Sequence, residues 1–140
     1  MKLFFDEDVG RGIPEALRGV GIRDIDYIGK GRRISKGTPD ETWIPYAGRE
    51  GFLVISFNMG ILAAEGQRRL VISERVGIVF VTTGRETARD VLRLILNQWA
   101  WLETVDASSP RPFAYLLTMT AKKASVDLHD PNIHRLLRGR

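Results

Sequence analysis

Apolar positions follow two rhythms along this chain: short unbroken runs, and longer stretches in which they recur every three or four residues. Lys2 to Phe5, Asp24 to Tyr27, FLVIS (52–56), Gly77 to Val81 and FAYLLTM (113–119) follow the first and predict strands. Between the first two, Ile13, Leu17 and Val20 share a helical face. Pro14 suits a first turn there and Gly21 a stop, which predicts a short helix over 13–20. Thr38, Pro39 and Glu41 predict a capped helix start, with Pro45 limiting its regularity and Gly51 ending it. Another helix is predicted from Ile61 to Glu74. The longest is predicted from Glu86 to Leu102, with Ala88, Val91, Leu92, Ile95, Trp99 and Leu102 as its core stripe. Leu94, Leu96 and Trp101 widen that face beyond what one sheet contact requires, so it suits either a thick core or a protein partner.

Strands that alternate with helices predict an α/β fold, a three-layer sandwich around a mainly parallel sheet. At 140 residues the expectation is a single domain over 1–140. From about 120 onward the pattern weakens into a basic tail with one short turn of helix. No internal repeat or low-complexity tract is visible.

Composition narrows the chemistry more than it names it. Hydrophobic residues make up 44% and charged residues 27%, ordinary for a globular chain. The first apolar run stops at Asp6, too short for a leader peptide, and no run approaches a membrane span. A cytoplasmic location without membrane attachment is therefore expected. With no cysteine, disulfides, thiol catalysis and thiolate zinc sites are excluded. His129 and His134 stand in the tail at no metal or triad spacing. Lys and Arg outnumber Asp and Glu by 21 to 17, an excess compatible with an acidic or nucleic-acid partner. The Gly-bounded loop KGRRISKG (30–37) concentrates part of it in Lys30, Arg32, Arg33 and Lys36.

Known nucleotide and hydrolase signatures are missing: GRGIPE, GVGIRD and GKGRRI each lack the last glycine of GxGxxG, and neither GxxxxGK[ST] nor GxSxG occurs. What remains is carboxylate. MKLFFDEDVG places Asp6, Glu7 and Asp8 together at a strand end, and Asp40-Glu41 opens a distant helix. In parallel sheets ligands gather beyond the carboxyl ends of the strands. Acids gathered there repel one another, and a hard cation such as Mg²⁺, which takes one or two carboxylates plus waters and a phosphate, relieves that repulsion. A solvated turn at 6–8 and simple helix-dipole service at 40–41 are the plainer readings of the same residues.

MKLFFDED, then GTPDETWIPYAGREGFLVIS, then the step from Asn58 to Ile61 resemble PIN-like domains, in particular the VapC-type toxin branch; VFVTTG, RLILNQWAWLE and PRPFAYLLTMT follow that branch's order. The resemblance covers about 1–120. It implies a PIN-like fold and a Mg²⁺- or Mn²⁺-dependent endoribonuclease, the toxin of a type II toxin–antitoxin pair, acting on RNA and held by an antitoxin protein. Asp6 corresponds to the family's first acid and Asp40, or its neighbour Glu41, to the second. The implied catalytic and metal set is Asp6, Asp40 and Asn58, with Asp8 and Glu41 completing the ligands and Lys30, Arg32, Arg33 and Lys36 positioning RNA. The face around Leu94 and Trp101 suits an antitoxin or a second copy in a homodimer.

One position departs from that pattern. The third acid of the family is replaced by Asn58, which keeps a carbonyl oxygen and loses a charge. At ~4 Å and an effective dielectric of ~20 the raw attraction lost to a dication is roughly 8 kcal/mol, much of it offset by desolvation. A tolerated neutral ligand, a nuclease-like module that only binds RNA or protein, and a chain inactivated by substitution all fit. A receiver-type signalling domain fits less well. It would use Thr82 and Lys122, but Asn58 cannot accept phosphate as aspartate does, and Asp40 and the basic loop are left without a role.

Overall fold

The computed structural model describes residues 1–138. Residues 139 and 140, the end of the basic tail, lie outside the described residues. Strand β1 (Leu3–Phe5) leads through a one-turn 3₁₀ helix (Glu7–Val9) into helix α1 (Gly12–Gly19) and strand β2 (Ile25–Tyr27). The loop that carries the basic residues follows, then α2 (Asp40–Glu50), β3 (Leu53–Ser56), α3 (Gly60–Ala63), α4 (Glu65–Ser73) and β4 (Gly77–Thr82). The remainder is α5 (Ala88–Asn97), α6 (Trp99–Ser108), β5 (Phe113–Thr118), β6 (Lys123–Val126) and α7 (Ile133–Arg138).

The strands form one six-stranded sheet in the order β2-β1-β3-β4-β5-β6, parallel throughout except for the antiparallel pair β5/β6. Side chains alternate across each strand, so the two faces bury different sets. Leu3, Phe5, Leu53, Ile55, Val79 and Val81 meet Ile13 and Leu17 of α1, Val91 and Ile95 of α5, and Leu102 of α6. Phe4, Val54, Ile78 and Phe80 meet Trp43, Ile44 and Ala47 of α2, Ile61 and Leu62 of α3, Val71 of α4 and Ile133 of α7. These are the three layers that the strand–helix alternation predicts.

Several local expectations change. The helix predicted over 86–102 divides at Gln98 into α5 and α6, and its apolar phase carries through the break, so periodicity alone cannot show it. Ala88 is exposed rather than part of the stripe. The helix predicted over 61–74 divides at Ala64, whose extended backbone (ψ 118°) separates α3 from α4. Thr38 does not cap α2. Its hydroxyl donates to the Ser35 carbonyl at 2.7 Å, and Pro39 takes the capping position without a side-chain bond. The stretch beyond 120 is better ordered than its pattern suggests: Lys123–Val126 adds the last strand, and Leu128 and Ile133 are buried. The broad face at 94–101 is also mostly internal. Leu94 is buried, Trp99 and Trp101 pack against the core, and Leu96 is the large exposed residue.

Candidate active site

After β1 the chain turns outward to β2, then crosses to the other side of β1 to form β3. The crevice between the carboxyl ends of β1 and β3 is thus the switch point of this doubly wound sheet, where such folds hold ligands. A cavity of about 320 Å³ opens there, lined by Asp6, Glu7, Asp8, Ile28, Gly37, Thr38, Asp40, Trp43 and Asn58.

Asp6 is the first residue past β1 and is 6% exposed. Its carboxylate is held on both oxygens: one accepts from the Glu7 amide at 2.7 Å, the other from the Ser56 hydroxyl at 2.8 Å. The Ser56 oxygen in turn accepts the Asn58 amide at 3.0 Å, so the last residue of β3 ties the β3–α3 turn to the acid of β1. Burial raises the Asp6 pKa from its ordinary value against the pull of these two bonds, and the charges of Asp40 and Glu7 add to the rise.

Asp8 accepts from the Phe57 amide at 3.3 Å. The residue as a whole is exposed, yet its pKa is pushed up to about 6, first by desolvation of its carboxyl group and then by the charge of Asp6, with Asp40 adding less. Asp40, the first residue of α2, accepts the Trp43 indole N–H at 2.9 Å. That bond orients it because Trp43 is itself clamped, 1% exposed and stacked on Phe4 at 5.5 Å. Four acids from two distant segments therefore share one cavity, and the charges of their neighbours add to the rise at Asp6 and Asp8.

The remaining sequence-predicted residues divide. Asn58 lines the cavity, and its side-chain oxygen accepts the Gly60 amide at 3.0 Å in an Asx turn that starts α3, which leaves that oxygen one further lone pair. Glu41 does not line the cavity. It is exposed and accepts from Gln67 of α4 at 2.9 Å, because one step along the helix start turns it away from Asp40. Arg32 is engaged within the fold: it donates to Asp26 from two nitrogens at 2.8 and 3.2 Å and lies over the Tyr27 ring. Arg33 stacks on the Tyr46 ring at 5.3 Å. Asp26 also accepts the Tyr46 hydroxyl at 2.8 Å, and burial with that bond pushes the Tyr46 pKa up to about 12. Lys30 and Lys36 instead line an adjoining cavity. Glu7 accepts the Gly37 amide and so fastens the basic loop to the acidic turn.

Sequence reasoning missed Ser56 and Trp43, the two side chains that orient the acids. Ser56 had a signal, a lone hydroxyl closing the apolar run FLVIS, and it is fully buried. The indole bond of Trp43 depends on a three-residue step inside α2 that any buried tryptophan would also show.

Among the described residues, no three Asp, Glu or His side chains form a ready-made metal cage. The donors present still suit a hard, well-hydrated cation, which needs only one or two carboxylates and keeps its waters. Asp6 and Asp8 both have raised pKa values from crowded, desolvated negative charge, and a cation is the partner that reverses this. Thr82 and Lys122, on which a receiver-type site would depend, do not line the cavity.

The comparisons agree with this geometry. A family model described as "PIN like domain" matches residues 1–83, the stretch from β1 to just past β4 that carries every acid of the cavity. No curated protein and no solved structure matches the chain. The matched part exceeds half the chain and contains the switch point with its acids, so the chain belongs to the PIN-like domain family.

Proposed function

We propose that the protein is a metal-dependent endoribonuclease. The observation that carries this reading is the convergence of Asp6, Asp8 and Asp40 on one cavity at the β1/β3 switch point of a PIN-like chain. Asp6 and Asp40 would hold a Mg²⁺ or Mn²⁺ ion, with Asp8 directing a water. A bound divalent ion supplies charge to the phosphoryl oxygens and lowers the pKa of a coordinated water. The chain's own residues do the rest. Ser56 and the Glu7 amide fix the Asp6 carboxylate, the Trp43 indole fixes Asp40, and the raised pKa of Asp8 leaves it able to take a proton near neutral pH.

In a toxin–antitoxin pair the partner would be an antitoxin that occludes this cavity. A small DNA-binding protein encoded beside this chain would support that role.

A second reading, an RNA- or protein-binding module without catalysis, is favoured by Asn58, which adds no charge where the family pattern has an acid. One substitution separates the two. Aspartate accepts the Gly60 amide as well as asparagine does, so Asn58→Asp keeps the turn and adds the missing charge. Metal-dependent cleavage of a mixed RNA pool by both forms is the measurement. A rise in cleavage with Asn58→Asp that vanishes with Asp6→Ala supports the nuclease. No cleavage by either folded form, with metal present, rejects it in favour of the binding module.

A further inference from the structure

Beside the acidic cavity, and sharing Glu7 and Ile28 as a wall, lies a second cavity of about 350 Å³ whose lining includes Gly10, Arg11, Lys30 and Lys36. Its cations come from two separate segments, the turn before α1 and the basic loop after β2. None of the three takes part in the ion pairs found among the described residues. Arg11 is also the N-cap of α1, so its place beside the cavity is set by the start of that helix. The loop is held by two anchors: Arg32 is paired with Asp26, and the Gly37 amide is bound by Glu7. These bonds fix the backbone on either side of Lys36 and leave its ammonium group unpaired.

Three cations without ion pairs among the described residues, in a concave site next to four carboxylates, form a bipolar surface. A small cation would occupy only the acidic half. A polyanion with closely spaced charges, one at the acids through a metal and the next at the cations, would use both. We propose that the cavity of Arg11, Lys30 and Lys36 is a phosphate subsite that holds the backbone phosphate neighbouring the scissile one in a single-stranded RNA. The proposal rests on the nuclease reading for the position of the scissile phosphate. Arg32 and Arg33 have no part in it. Trp43, Tyr27 and Tyr46 are buried, so none of these three rings offers a base a stacking surface, and recognition through this subsite is by backbone charge.

The test measures binding rather than cleavage. Affinity for a fluorescent oligoribonucleotide is followed across salt concentrations for the full chain and for the variant Arg11→Gln, Lys30→Gln, Lys36→Gln. A charge-matched control, Arg23→Gln, Arg49→Gln, Arg75→Gln, alters exposed arginines that precede β2, β3 and β4 at the opposite end of the sheet. Loss of one phosphate contact should lower the slope of log affinity against log salt by about 0.7 in the first variant and leave it unchanged in the control. An equal fall in both, or in neither, overturns the subsite.

A second arm leaves the protein unchanged and moves a single neutral methylphosphonate linkage along the oligonucleotide. Of the positions that weaken binding to the unaltered chain, one should become indifferent in the cavity variant. An indifferent scan with the unaltered chain overturns the subsite even if the variant fails to fold. A reduced slope in a chain that never cleaves RNA retains the subsite and rejects the nuclease reading; cleavage with an unchanged slope does the reverse. Tighter binding of single-stranded DNA of the same sequence would also count against RNA as the occupant.

Discussion

Asp8 carries a cost that pH can remove. Its folded pKa of about 6 stands above the ordinary 3.8, so between those values the folded chain binds more protons than the unfolded one. Stability therefore falls as pH rises through that window. The loss is complete above about 6 and absent below about 4. Asp8→Asn should raise the unfolding midpoint at pH 7.5 by about 2 °C, an effect kept small by the exposure of the residue, and the difference should disappear near pH 4. Thermal melts of both forms across pH check this. Added Mn²⁺ should raise the midpoint of the unaltered chain more than that of the variant at pH 7.5. Ser56 works in the opposite sense. Ser56→Ala strips a donor from the buried Asp6 carboxylate and an acceptor from the Asn58 amide, which should cost about 1–3 kcal/mol. Urea unfolding should show a lower midpoint at unchanged slope.

Two close approaches fix the elements that carry the acids. A Cβ on Gly48 of α2 would stand 2.3 Å from the Glu74 carbonyl oxygen at the end of α4. Gly48→Ala should force the helices apart at a cost of roughly 1–3 kcal/mol, again readable by urea unfolding. Asp26, at the centre of β2, binds Arg32 and Tyr46 and thereby joins strand, basic loop and α2. Asp26→Ala should free that loop, with faster hydrogen exchange at the Gly29 and Gly37 amides and little change at β3. Much at this scale is visible in the sequence, because buried parallel strands read as unbroken apolar runs and the acids follow the first of them directly. The breaks at Ala64 and Gln98 are not visible, since the apolar phase continues across both. The outward turn of Glu41 is equally hidden, because neighbouring acids on a helix start look alike until the helix is docked. Nor does sequence separate Lys36 from Arg32. Both read as loop cations, and only the fold shows that Asp26 has claimed one of them.

Across the whole molecule, the matched family segment ends at residue 83 and holds every acid of the cavity, while α5, α6, β5, β6 and α7 lie beyond it. That later part completes the sandwich: Phe113, Leu116 and Leu117 are buried, and Leu128 and Ile133 pack onto the face that also buries Trp43. The antiparallel pairing of β5 with β6 does more than lengthen the sheet. β5 is a six-residue apolar strand, FAYLLT, and without its neighbour it would present a full row of unpaired amide and carbonyl groups at the margin. The strand that covers it is short, exposed and begins with a lysine, all features that discourage another chain from joining the row. The weakly patterned final segment thus covers an edge to which another chain could otherwise add. A chain ending after Met119 should lose its solubility, seen as concentration-dependent oligomers in light scattering where the full-length protein gives none.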